Sequence, residues 1–169
     1  MPPAATLHIE PASAADLPDL RAMLREYAAW VAVDLSYQHF DDELATLPGD
    51  YAPPTGALLI ARIDGSPTGM VALRNVDGER CEMKRLFVRS AVRGAGVGWS
   101  LVQRVIVEAR ARHYRRILLD TLPAMFGAQR LYERMGFKDI APYYQSPVAG
   151  TRFLALDLDE IGKAGNEHV

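Results

Sequence analysis

The chain has 169 residues, 49% of them hydrophobic and 24% charged, a makeup ordinary for a soluble globular protein and a length that fits one domain with a sizeable core. A net charge of -2 gives no electrostatic ground for binding nucleic acid or an anionic membrane surface. One cysteine, Cys81, excludes an internal disulfide and a cysteine-rich zinc site. The histidines (His8, His39, His113, His168) show no metal-ligand spacing, so no metal is expected. No window is long and apolar enough to span a bilayer, and the first residues lack the basic and apolar regions of a signal peptide. The expectation is a single domain over 1–169 in the cytoplasm, with an ordered core of about 5–159 and a polar tail from 160.

Leu7, His8, Ile9 and Glu10 alternate as a first strand. Ser13, with Asp16 three positions on, marks a helix start, and Leu17, Leu20, Leu24, Tyr27 and Val31 follow at helical spacing. The aromatic stretch 30–38 has no clean periodicity, and a short helix is expected over 40–47. Residues 57–63, 68–75 and 80–88 read as three strands separated by the turns at Asp64-Gly65 and Asp77-Gly78, an antiparallel meander. Leu101, Val102, Val105, Ile106 and Ala109 form one apolar face of a helix over 96–112. The basic run 110–116 reads as its solvated end. Residues 115–120 read as a continuously apolar strand, parallel and next to 80–88. Pro123 opens a further helix that Gly136 stops, and 137–140 and 151–158 close the sheet.

The glycine-rich turn Arg93-Gly94-Ala95-Gly96-Val97-Gly98, between a strand and a helix, has the composition of a phosphate cradle. A helix N-terminus offers unpaired N–H groups and partial positive charge, and glycine lets the backbone approach an anion. It is not a Walker loop, since no Lys-Ser/Thr follows. Nor is it the dinucleotide pattern, whose glycines are spaced differently, although Asp120 ends the next strand where a ribose-binding acid would sit.

Three motifs in order resemble the GNAT superfamily of acyl-CoA-dependent N-acetyltransferases. Arg93-x-x-Gly96-x-Gly98 is similar to its Arg/Gln-x-x-Gly-x-Gly/Ala signature. Glu82-x-x-x-Leu86-x-Val88 is similar to its central strand, and Ala128-x-x-Leu131-Tyr132-x-x-x-Gly136-Phe137 to its later helix and strand. The resemblance implies an α/β (α+β) fold. Its sheet would be mixed, mostly antiparallel and twisted, of about six to seven strands, with a central β-α-β unit and helices on both faces. Strands 80–88 and 115–120 would splay apart.

It also implies acetyl-CoA as cosubstrate. The pyrophosphate of coenzyme A would lie on Val92, Arg93, Gly94, Ala95, Gly96, Val97 and Gly98, with Trp99 and Ser100 beside it. Pantetheine would pair with the main chain of Leu86, Phe87 and Val88. Tyr132 matches the family's usual proton donor to the leaving thiolate and would touch the cofactor. Glu82 stands where several members carry the general base, with Glu79 and Tyr143 as fallbacks. On a strand Glu82 shares a face with Lys84, Leu86 and Val88. Where many relatives have asparagine, this chain has Met125. Cys81, on the opposite face from Glu82, reads as a small buried residue rather than an acyl carrier.

The resemblance places the acceptor pocket at 30–38, at Arg74 with 82–85, and at 143–146, so Trp30, Tyr37, Arg74, Lys84, Tyr143 and Tyr144 are the candidate acceptor residues. Their aromatic and basic character suits a small-molecule amine, with a carboxylate as one way to be held. Two other readings stay open. One is a peptide N-terminus or lysine as acceptor; the other is an acyl-CoA sensor without turnover. Dimers are common among such proteins, so a homodimer is an expectation of the resemblance that no segment here specifies.

Overall fold

A computed structural model describes residues 4–158; the expected tail from 160 and His168 lie outside them. Seven strands form one sheet in the order β1-β2-β3-β4-β5-β7-β6. They are β1 (Leu7–Pro11), β2 (Ala57–Ile63), β3 (Ser66–Asn75), β4 (Arg80–Val88), β5 (Arg116–Thr121), β6 (Lys138–Asp139) and β7 (Arg152–Asp157). Every neighbouring pair is antiparallel except β4–β5, which is joined by helix α3 (Val97–Ala111). The meander, the β-α-β unit and the mixed sheet are as expected.

The first helix starts as its sequence implies, with a short detour. The Asp16 carboxylate accepts the Ser13 N–H at 2.8 Å and pairs with Arg62 of β2. Residues 14–16 make one tight turn before α1 (Leu17–Val31), which has Pro18 in its first turn. Leu20, Met23, Leu24 and Tyr27 are its buried stripe. Helix α2 covers Phe40–Thr46. Helix α4 (Phe126–Arg134) begins later than Pro123 suggests: residues 122–125 form a turn closed by Met125 N–H donating to the Leu122 carbonyl at 3.0 Å. Gly136 ends it at φ +99°, a conformation glycine adopts without steric cost.

Strand alternation sends two sets of side chains to two layers. Leu59, Ala61, Val71, Leu73, Cys81, Met83, Ile117 and Leu119 meet Leu101, Val102 and Val105 of α3 and Tyr132 of α4. Leu58, Ile60, Met70, Ala72 and Phe87 meet α1 and α2 on the other face. The helices therefore cover both faces.

The register shifts near the end of the β2–β3 pair, between Ala61 and Arg62, and again in β4, where it matters for the site. Met70 opposes Phe87 and Ala72 opposes Lys84, so two steps on β3 match three on β4. Arg85 absorbs the extra residue at φ +62°, a β-bulge. Beyond it the faces exchange. Glu82 and Lys84 face α1 and α2, whereas Leu86 and Val88 pack against the α3 layer. The expectation that Glu82, Lys84, Leu86 and Val88 share a face is thereby corrected: one inserted residue reverses the parity of every side chain after it.

Candidate active site

β4 and β5 part soon after they meet. Their pairing covers Arg80–Arg116, Cys81–Ile117 and Glu82–Leu118 and then stops, so β4 has no strand partner on its β5 side at 84–88. Lys84, Arg85, Leu86, Asp120, Leu122, Met125 and Tyr132 line the gap. At the far end of β4 the chain makes a tight turn at 90–92 and enters α3 through Gly94 (φ +90°) and Gly96 (φ +80°). Among the described residues, the N–H groups of Gly94, Gly96, Val97, Gly98 and Trp99 donate to no protein acceptor. No atom lies within 4 Å of where a Cβ on Gly94 or Gly96 would be. A concave row of free donors at a helix N-terminus suits a phosphate group. Arg93 braces the turn: its Nε donates to the Val88 carbonyl at 3.0 Å, and its guanidinium lies 4.7 Å from the Trp30 ring centre.

Behind the gap, on the α1–α2 face, opens a cleft of about 570 Å³ lined by Tyr37, Gln38, Asp42, Asp50, Arg74, Glu82, Lys84, Tyr143 and Tyr144. At its floor is Glu82, 2% exposed. Arg74 Nε donates to Oε1 at 2.7 Å and the Tyr143 hydroxyl to Oε2 at 2.6 Å. Lys84 Nζ stands 4.0 Å from Oε1. Burial and the Glu82 charge hold the Tyr143 phenol well above the usual tyrosine range. Burial pushes the Lys84 ammonium below the usual lysine range, against the pull of Glu82. The next tyrosine repeats the pattern on the next strand: the Tyr144 hydroxyl donates to Asp120 Oδ2 on β5. Both rings pack edge-on against Phe153, at 5.2 and 5.1 Å between centres. Two phenol–carboxylate bonds thus tie one loop to both sides of the gap.

Tyr132 enters the gap from α4. It is 5% exposed and packs on Phe137 at 5.7 Å. Burial, with Tyr27 and Asp120 nearby, raises its phenol above the ordinary value. Its hydroxyl makes no hydrogen bond among the described residues, so it remains free to donate to a group in the gap.

The acetyltransferase (GNAT) family profile matches residues 17–137. The chain belongs to that family. It is 38% identical over 147 residues to an uncharacterized N-acetyltransferase of Schizosaccharomyces pombe, a match spanning 86% of this chain and 90% of the other. It is 34% identical over 105 residues to the N-acetylaspartate synthetase of Xenopus tropicalis, covering 62% of this chain and 39% of that one. In fold it is similar to a GNAT family acetyltransferase of Staphylococcus aureus, with TM-score 0.76, 20% identity, and 90% and 99% of the two chains covered. It is also similar to one from Elizabethkingia anophelis solved with acetyl-CoA bound, at TM-score 0.66 and 21% identity, covering 89% and 97%.

As a GNAT chain, its site residues divide cleanly. Tyr37, Arg74, Lys84, Tyr143 and Tyr144 converge on the cleft around Glu82. Trp30 does not: its ring, 45% exposed, packs on Phe87 and Arg93, because α1 points it toward the glycine turn. Glu79 sits in the exposed β3–β4 turn near Arg115, apart from the cleft. Val97 is buried in the core and Phe87 is packed against Tyr27, so only their main chains are available to a ligand. Trp99 lies under the Arg134 guanidinium, 5.7 Å from its ring centre. Cys81 is buried in the α3 layer, and burial pushes its thiol up to about 12, which removes it as a nucleophile at neutral pH.

Sequence reasoning missed Asp120 as part of this site, seeing it only as a strand-end acid of the dinucleotide pattern. Gln38 was included only as the end of the pocket segment 30–38, with no role of its own. Gln38 donates to Tyr37 and accepts from Arg85, contacts no local pattern reveals. The arrangement of free N–H groups, open strand edge and unpartnered phenol fits a ligand with a pyrophosphate, amide groups and a thioester in series. Among the described residues no cluster could hold a metal ion, and no helix is long and apolar enough to cross a membrane.

Proposed function

We propose that this GNAT chain transfers an acetyl group from acetyl-CoA to the primary amine of a small molecule, by direct attack within a ternary complex. One observation carries the reading: the unpaired edge of β4 leads from the gap that Tyr132 lines to the glycine turn that follows Val88, and Gln38 and Lys84 line both that gap and the cleft that holds Glu82. Acetyl-CoA supplies the activated acyl group. The N–H groups of Gly94, Gly96, Val97, Gly98 and Trp99 would hold its pyrophosphate, and the open edge of β4 its pantetheine amides. A main-chain N–H at 86–88 would polarise the thioester carbonyl.

The remaining chemistry is proton transfer. The acceptor arrives as an ammonium ion and must lose a proton before nitrogen can attack. Tyr143 O can take that proton while passing its own to Glu82, to which it is already bonded at 2.6 Å. As the C–N bond forms and the C–S bond breaks, Tyr132 gives its proton to the departing thiolate. Its raised pKa keeps the phenol protonated until that moment. A cleft of this size takes a small ligand. That a relative is named for making N-acetylaspartate agrees with a small acceptor.

Titration calorimetry tests the cosubstrate. Coenzyme A and acetyl-CoA should bind and NAD should not; the reverse would remove the reading. Release of free thiol only when an amine is present separates the enzyme from a silent acyl-CoA sensor.

A further inference from the structure

Lys84 is oddly provided for. Its side chain is only 14% exposed, and its one ion-pair partner among the described residues, Glu82 Oε1, is 4.0 Å away and already holds Arg74 Nε at 2.7 Å. Glu82's other oxygen is taken by Tyr143, and Asp120, facing across the gap, makes no ion pair with Lys84 and accepts from Tyr144. Among the described residues the Lys84 ammonium makes no hydrogen bond, although it carries three donors, and it faces the cleft rather than the packed interior. Arg74 repeats the shortage more mildly. Its Nε serves Glu82, while its terminal nitrogens make no hydrogen bond among the described residues and its side chain is 37% exposed in the cleft wall.

The contrast with Arg85, the next residue, is instructive. Each of Arg85's three nitrogens has a partner: Nε and Nη2 donate to Glu43 and Nη1 to Gln38. Arg85 is therefore part of the scaffold, and Lys84 and Arg74 are the cleft's cations with donors to spare. Lys84 also lines both the cleft and the gap. Whatever it holds therefore lies beside the position where the thioester must be attacked.

We propose that Lys84, together with the terminal nitrogens of Arg74, receives a carboxylate of the acceptor, so that the substrate is an amino acid or a close analogue with its amine a few bonds from that carboxylate. The inference rests on the acetyltransferase reading and narrows its substrate class. A carboxylate there completes the ammonium's hydrogen bonds in a setting where charge-assisted bonds are strong. It also fixes which way the amine points. A plain amine would leave both cations as they are and gain nothing from them.

The test compares each amino acid of a panel with the amine left when its carboxylate is removed, following thiol release from acetyl-CoA. The wild-type kcat/KM for the best amino acid should exceed that for its decarboxylated partner by about 10- to 100-fold, mainly through KM. Lys84→Met should bring that ratio close to one, and Lys84→Arg, which keeps a cation, should largely restore it. Equal or better use of the decarboxylated amines by the wild type overturns the proposal, as does a ratio that survives Lys84→Met. If Lys84→Met does not fold, the wild-type ratio alone decides. Acetyl-CoA calorimetry runs alongside: binding with turnover of plain amines only sinks this inference and spares the acetyltransferase reading, whereas absence of binding sinks both.

Discussion

Glu82→Gln is the substitution that separates chemistry from architecture at the cleft floor. The change keeps the side-chain shape and removes the charge. Two short bonds converge on the wild-type carboxylate, from Arg74 at 2.7 Å and Tyr143 at 2.6 Å. A neutral amide oxygen can keep the Arg74 bond, and its NH₂ can donate to the Tyr143 oxygen with that bond reversed, but both lose the carboxylate charge. Weakening two charge-assisted bonds costs about 2–3 kcal/mol. Arg74 is 37% exposed, so solvent trims its share. In a chain this long each kcal/mol moves Tm by about 2–4 °C, which gives a drop of roughly 5–10 °C.

If Glu82 is also the final acceptor of the amine's proton, kcat falls further, by about 10²–10⁴. Differential scanning calorimetry and the rate of thiol release measure the two effects on one sample. A variant that loses stability yet keeps the wild-type kcat would refute the base assignment and leave Glu82 as an anchor for Arg74 and Tyr143.

Other substitutions probe the surroundings. Gly96→Ala meets no atom within 4 Å but must hold φ +80°, so it should cost about 1 kcal/mol in backbone strain and weaken coenzyme A binding by calorimetry, with the acceptor KM little changed. Arg85→Met removes the partner of Glu43, whose side chain is 14% exposed, and should cost about 3–5 kcal/mol in urea denaturation. Adding Glu43→Gln should recover part of that loss, and a purely additive double variant would contradict the ion-pair account. Cys81→Ala should keep wild-type kcat/KM while losing about 1 kcal/mol of packing; a large loss of turnover would reopen an acyl-cysteine route.

Most of the scaffold was legible in the sequence because it is local. The turns at Asp64-Gly65 and Asp77-Gly78, the apolar stripe of α3 and the stop at Gly136 each declare themselves within a few residues. The glycine turn and Tyr132 were legible through motif order. What escaped lies in three dimensions. The bulge at Arg85 leaves no mark in the hydrophobic pattern, since Arg85 is a charged residue in a run already charged, yet it decides which face Leu86 and Val88 occupy. The Tyr143–Glu82 bond spans 61 positions and the Arg85–Glu43 pair 42. Nothing in the stretch around Trp30 told its aromatic ring from those of the cleft; the direction of α1 did.

The central claim is that the gap between β4 and β5 is where a thioester meets an amine, with Tyr132 as proton donor. Thiol release from acetyl-CoA, followed across a panel of small amines for the wild type and Tyr132→Phe, tests it most directly. The account predicts amine-dependent release by the wild type and a loss of about 10²–10⁴ in kcat for Tyr132→Phe, with the acetyl-CoA Kd nearly unchanged. Release that ignores the amine, or a Tyr132→Phe variant with the wild-type kcat, would contradict it.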